Sequence, residues 1–210
     1  MIERVDPKER ETLESGISEL GLQFDDCAVS ALLGHVALIR KWARSYNLVA
    51  RGDLDSLIDR HVLDSLCIGH WLQGRKVLDV GSGAGFPGLP LAIVHPRKDF
   101  YLLDSSGKRV RFLRHAIRTL ELKNVTVVQE RVEAYDPGSV FSTIISRAFA
   151  PMHLFAGRIR HLCDTDTRVL AVKGRKPSAE LPELPAWAKV ESIEPYRVPG
   201  LHAERHVVIM

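Results

Sequence analysis

The run KVLDVGSGAGFPGLPLAIV, residues 76 to 94, constrains the fold more than any other stretch of the chain. A short apolar strand pattern runs into a turn with glycine at 81, 83, 85 and 88, and an apolar helical pattern follows. Glycine lets the backbone approach a ligand closely and adopt left-handed conformations, so a strand–turn–helix unit of this kind points to a ligand site in an α/β sheet. Gly83-Ala84-Gly85-Phe86-Pro87-Gly88 satisfies the GxGxxG spacing literally. A hydride-transferring dehydrogenase and a methyltransferase both fit that spacing, so the pattern alone does not choose between them.

The rest of the chain places this unit in a larger architecture. Residues 1–73 read as a helical N-terminal extension and residues 74–210 as an α/β core. In the extension, Asp6 is an N-cap with Pro7 at the first helical position and Gly21 as a stop. Leu32, Val36, Ile39 and Ala43 recur at helical spacing, and so do Leu54, Leu57, Ile58, His61, Leu66 and Ile68 in a predicted helix over 53–72. From residue 76 the strand patterns are KVLDV, DFYLLD, VTVVQ, FSTIISR, RVLAVKG, VESIEPYRV and RHVVIM. Helical patterns such as GLPLAIVH and SGKRVRFLRHAIRTLEL separate the early ones, which predicts a mostly parallel sheet with helices on both faces. Only PGLHAE lies between the last two, too short for a helical crossover, so they form an antiparallel C-terminal hairpin. That combination predicts the Rossmann-like class I methyltransferase fold rather than a plain dinucleotide fold.

Charge separates the two ligand classes further. Asp79 lies at the carboxyl end of the first strand, and no Lys or Arg occurs between residues 77 and 96. A carboxylate there repels the pyrophosphate of a dinucleotide but attracts the sulfonium and ammonium of S-adenosyl-L-methionine. Asp79, Gly81, Gly83 and Gly85 then form the acid-x-Gly-x-Gly-x-Gly pattern of a methyl-donor site. Asp104, at the end of the next strand, is placed to bind ribose hydroxyls.

Composition narrows the setting. No apolar run reaches the roughly 20 residues of a membrane span, and MIERVDPKERE has no signal-peptide core, so the expectation is a cytoplasmic protein without a membrane partner. Cys27, Cys67 and Cys163 lie far apart and form no CxxC pair, which predicts buried reduced thiols and no metal site. The net charge of +3 is a mild basic bias that favours an anionic partner if it gathers on one face. Nothing in the chain demands more than a monomer.

Several longer stretches coincide: YNLV at 46–49, RHVLDSL at 60–66, LDVGSGAGFPGLPLAI at 78–93 and LLDSSGKRVRFLR at 102–114. RVE at 131–133, ISRAFA at 145–150 and VKGR at 172–175 follow in order. Together these stretches resemble the bacterial 16S rRNA guanine-N7 methyltransferase family, RsmG (GidB), from about residue 30 to the closing ERHVVIM. The resemblance implies methyl transfer from S-adenosyl-L-methionine to N7 of a guanine in 16S rRNA, as free RNA or within the small ribosomal subunit. It also implies donor contacts at Gly81 and Phe86, with Val132 and Glu133 beside the adenosine and Arg147 in the active cleft.

The chain lacks two devices that other methyl-transfer chemistries need. ISRAFA stands where amine methyltransferases carry an Asn/Asp-Pro-Pro-aromatic motif, and no cysteine follows a proline as a ring-attacking nucleophile. Guanine N7 requires neither, because its in-plane lone pair bears no proton. For RNA, the helix after Asp104 sets an apolar face, Val110, Leu113, Ile117 and Leu120, against a basic one. Lys108, Arg109, Arg111, Arg114 and Arg118, with Lys173 and Arg175 after the fifth strand, are the RNA-binding candidates, and RKWARSYN is a third basic group.

Overall fold

The structure, a computed structural model, describes residues 6–43, 45–147 and 150–210. Arg44 of RKWARSYN and Ala148 and Phe149 of ISRAFA lie outside the described residues.

All seven predicted strands form and join one sheet. They are β1 (Lys76–Val80), β2 (Asp99–Leu103), β3 (Val125–Val128), β4 (Thr143–Arg147), β5 (Arg168–Lys173), β6 (Ser192–Tyr196) and β7 (Arg205–Ile209), in the order β3-β2-β1-β4-β5-β7-β6. The first five are parallel, whereas β7 runs antiparallel to both β5 and β6. The strand order reverses between β1 and β4, so a crevice opens at the carboxyl ends of these two strands.

Period-two alternation divides the core between the two faces. Leu78 and Val80 of β1 pack with Ile144, Val169 and Val208 against Phe155, Ala156 and Ile159 of α6 (Met152–Ile159). Val77 points the other way, with Ile145, Leu170 and Val207, toward Leu91 and Ala92 of α4 (Gly88–Val94). On that side also lie α5 (Gly107–Thr119), α1 (Pro7–Glu19) and α2 (Asp26–Ala43). Leu32, Val36 and Ile39 of α2 share one apolar cluster with Ala84, Phe86, Leu89, Phe112 and Leu113, so the N-terminal helices complete the core. Asp6 caps α1 by accepting from Lys8 N at 3.0 Å, as expected.

The predicted helix over 53–72 is instead a succession of short turns. A 3₁₀ turn at Arg51–Ser56 leads into a wide π-helical turn at Ile58–Leu63, a single α turn α3 (Asp64–Cys67) and a 3₁₀ turn at Gly69–Trp71. Side chains take up carbonyls that a regular helix would have used. Arg147 Nη1 donates to Arg60 O at 3.3 Å and Ser65 Oγ to His61 O. The apolar residues of this segment, Leu57, Val62, Leu63 and Leu66, are nevertheless buried as their spacing predicts.

Cys67 and Cys163 are buried, and burial pushes both thiols up to about 12. Cys27 is exposed, contrary to expectation, because it lies on the outer side of the first turn of α2. No helix among the described residues is long and apolar enough to cross a membrane.

Candidate active site

The loop after β1 builds the floor of a cleft of about 520 Å³ at the carboxyl edge of the sheet. Gly81 and Gly83 turn with φ of +75° and +57°, conformations that side chains other than glycine rarely tolerate. Gly81 N and Ser82 N donate to Leu103 O, so the loop is stitched to the end of β2. Gly83 N donates to Asp104 Oδ2 at 3.0 Å. Gly81, Gly83, Phe86, Asp104, Val132, Glu133 and Arg147 all line this one cleft, although they come from four connections of the fold. Leu48, Val49 and Ala50 form its rim on the N-terminal side.

Two residues expected at the ligand stand elsewhere. Gly85 does not line the cleft, and Asp79 is fully buried beneath the loop, where its Oδ2 accepts from Gly88 N at 2.9 Å. Its Oδ1 has no partner among the described residues. Burial pushes the Asp79 acid up to about 7, against the opposing effect of the Gly88 bond. The carboxylate therefore braces the loop from behind instead of offering an open charge. Positive charge also enters the cleft from outside the loop. The loop itself has no cation, but Arg109, Arg131, Arg147 and Arg158 reach the cleft from other elements.

Asp79 gives a pH prediction. Its folded acid lies near 7 and its unfolded acid near 3.8. Between these values the folded chain keeps a proton that the unfolded chain has released, so stability falls as pH rises through that window. At about 1.4 kcal/mol per pH unit the loss amounts to about 4 kcal/mol. Asp79→Asn removes this dependence. Melts of the two proteins from pH 4 to 8 should diverge, with the variant gaining on the parent as pH rises. Parallel curves would contradict the buried ionisation.

Two acids that line the cleft, Asp104 and Glu133, each have a partner. Asp104 accepts from Ser106 N at 2.8 Å with Oδ1, and its Oδ2 also faces Arg109 Nη1 at 3.4 Å. Glu133 pairs with Arg158 Nε at 2.9 Å. Phe86, only 4% exposed, carries His61 stacked at 4.9 Å, His35 tilted at the same distance, and the Arg147 guanidinium 5.3 Å from its ring centre.

The sequence assigns no functional role to His61, His35 or Asp64, although RHVLDSL contains two of them and His61 falls at helical spacing. His35 is fully buried, and burial holds its imidazole at about 4. It is therefore neutral, and its Nε2–H donates to Ala84 O at 2.8 Å. His61 is likewise held at about 4, chiefly by burial and next by the Arg147 charge. Its Nδ1 accepts from Arg147 Nη2 at 2.8 Å. On the other side Asp64 Oδ2 accepts from Arg147 Nη1 at 3.1 Å. These partners lie more than 80 residues before Arg147, too far along the chain for local spacing to reveal them.

Residues 28–208 match the model of the family described as rRNA small subunit methyltransferase G. The chain belongs to that family. It is 47% identical to "Ribosomal RNA small subunit methyltransferase G" of Nitrosococcus oceani, over 93% of this chain and 92% of the relative. Identity to the protein of the same name in Pseudomonas putida is 45%, over 98% and 96%. Among solved structures, the fold is similar to that of a SAM-dependent O-methyltransferase from Thermotoga maritima. The TM-score is 0.56 at 14% identity, over 83% of this chain and 70% of the other. The class I methyltransferase fold predicted from the strand pattern is thus the fold of this methyltransferase G chain.

In this member of the methyltransferase G family the basic candidates separate. Lys108, Arg109, Arg111, Arg114 and Arg118 are exposed on α5, and Arg109 leans into the cleft toward Asp104. Arg175 is exposed after β5. Lys173 is not a free cation: its ammonium lies 3.0 and 2.9 Å from the two carboxylate oxygens of Glu180. The same Glu180 accepts from Met152 N at 2.6 Å, so Lys173 helps to fasten the start of α6. Trp42 and Tyr46 pack against each other with ring centres 5.2 Å apart, and Trp42 also meets Phe112 and His115.

Proposed function

We propose that this protein transfers the methyl group of S-adenosyl-L-methionine to N7 of a guanine in the 16S rRNA of the small ribosomal subunit. Membership of the methyltransferase G family over residues 28–208 carries this reading. The relatives are named for action on the small-subunit ribosomal RNA. The cleft supports it: its volume falls in the range of about 300–1,000 Å³ typical of small-molecule sites. The residues present also fit the donor. Backbone at Gly81 and Gly83 borders the cleft, and a Cβ on Gly83 would meet nothing closer than Gly81 O at 3.8 Å, so that backbone lies open to a ligand. Val132 offers an apolar edge, and Asp104 and Glu133 line the same cleft.

When bound, S-adenosyl-L-methionine supplies an electrophilic methyl on a sulfonium. The N7 lone pair forms the new bond as the carbon–sulfur bond breaks, positive charge passes to the purine, and no proton moves. The chain's task is therefore alignment and exclusion of water. The site chemistry agrees with a base-free transfer. The His61 Nδ1 lone pair is engaged by Arg147, and His35 is sealed beneath Phe86.

The test is transfer of labelled methyl to small subunits from cells lacking this protein, with free 16S rRNA and tRNA in parallel and chemical cleavage at 7-methylguanine. One new cleavage in 16S rRNA is the expected result. Label in tRNA or protein would retain the fold and overturn the substrate.

The exposed α5 cations, with Arg175, form the surface proposed to meet RNA phosphates. Arg111→Glu with Arg118→Glu should weaken RNA binding at least tenfold and flatten its salt dependence, with donor affinity unchanged. Equal loss of donor and RNA binding would point to misfolding instead.

A further inference from the structure

The residues that hold Arg147 converge on one buried carboxylate. Asp64, 2% exposed, lies at the start of α3. Its Oδ2 accepts from Arg147 Nη1 at 3.1 Å, while its Oδ1 accepts from Tyr196 Oη at 2.9 Å and faces Arg205 Nε at 3.4 Å. Asp64 thus joins the arginine at the cleft end of β4 to one residue of β6 and one of β7. The register explains the meeting. Tyr196 ends β6 and pairs with Arg205 at the start of β7, so both stand at the same sheet edge as Arg147.

The Arg147 guanidinium is held on two sides. Nη1 donates to Asp64 Oδ2 and to Arg60 O, and Nη2 donates to His61 Nδ1. All three acceptors come from residues 60–64, the wide turn and the first position of α3, so this irregular segment fixes the plane of the cation over Phe86. A buried ion pair is a poor source of net stability, because desolvating both charges offsets their attraction. A positional role accounts better for a carboxylate placed here.

We propose that Asp64 is a positioning residue for methyl transfer: it orients Arg147 in the cleft and anchors that orientation to the terminal β6–β7 hairpin. This rests on the methyl-transfer reading given above. A charge-assisted hydrogen bond is shorter and stronger than one to a neutral group, so the amide of Asn is a weaker anchor than the carboxylate. A misplacement of about 1 Å in a group that aligns reactants costs up to a hundredfold in rate.

The test combines kinetics with a readout that needs no RNA. Asp64→Asn should lower kcat about tenfold to a hundredfold with donor affinity little changed. In an Arg147→Ala background it should cause no further loss, because its effect passes through Arg147. A purely structural role would cost the same factor in both backgrounds. Independently, the His61 imidazole can be titrated by NMR in the full chain. Burial and Arg147 hold it down, and Asp53 and Arg60 are the other charges facing it. Asp64→Asn should raise its titration point in the same direction as Arg147→Ala does.

An unmoved His61 titration, or equal kcat losses in the two backgrounds, would overturn the proposal. If the parent protein transfers no methyl to small-subunit RNA, the function reading fails and the His61 titration alone decides the role of Asp64. Should Asp64→Asn not fold, Tyr196→Phe keeps both charges and frees one bond to Oδ1. A several-fold fall in kcat that vanishes in the Arg147→Ala background supports the positioning role, and an unaltered kcat overturns it.

Discussion

Gly88→Val is expected to abolish donor binding and to lower stability by roughly 3 kcal/mol, which is about 6–12 °C in melting temperature for a chain of this size. A Cβ at Gly88 would lie 2.3 Å from Leu102 Cδ2 and 2.7 Å from Asp79 Oδ2. Neither neighbour has room to retreat, since Leu102 and Asp79 are fully buried on adjacent central strands of the sheet. The substitution also drives apart the Gly88 N–Asp79 Oδ2 bond that sets α4 on the sheet, and with it the loop from Gly81 to Phe86. Gly52→Ala is the matched control. A Cβ there meets nothing within 4 Å, and a change of less than about 0.5 kcal/mol is expected. A Gly88→Val protein that melts within 2 °C of the parent and still binds the donor would refute the close approach of helix and strand.

That glycine illustrates what the sequence makes visible. Its spacing from Gly83 and Gly85 predicts a strand–turn–helix unit at a ligand, and the strand patterns predict the sheet, because alternation and short turns are local properties of the chain; the close packing of Gly88 on Leu102 and Asp79 is not among them. The cleft residues Gly81, Gly83, Phe86, Asp104, Val132, Glu133 and Arg147 converge because each ends or follows a strand of the parallel sheet, where the fold opens its crevice. Burial and pairing are a different matter, since they depend on contacts between distant segments. Asp79 reads as a charge beside the ligand, yet it faces α4 because it shares the pleat side of Val77. Lys173 reads as a free cation until Glu180 folds back onto it. His61 and Asp64 lie in a segment whose apolar spacing predicts a plain helix. The wide turn carries their side chains to Arg147, a long-range contact that apolar spacing does not encode.

Arg147→Ala is expected to lower kcat for methyl transfer about a hundredfold or more, with a loss of donor affinity below tenfold. Its guanidinium lies at the cleft, bound on two sides and 5.3 Å above Phe86, so its removal strips the wall of the cleft nearest β4 and leaves the loop after β1 in place. Arg147→Lys separates charge from shape. Lysine keeps the cation but cannot reach Asp64, Arg60 O and His61 with one planar group. Arg147→Lys should therefore recover less than a tenth of the lost rate. Near-complete recovery would show that the cleft needs only a positive charge at this place, and the orienting contacts from residues 60–64 would then have no part in the transfer. A fall confined to donor affinity, with kcat intact at saturation, would move Arg147 from alignment of the reactants to simple retention of the donor.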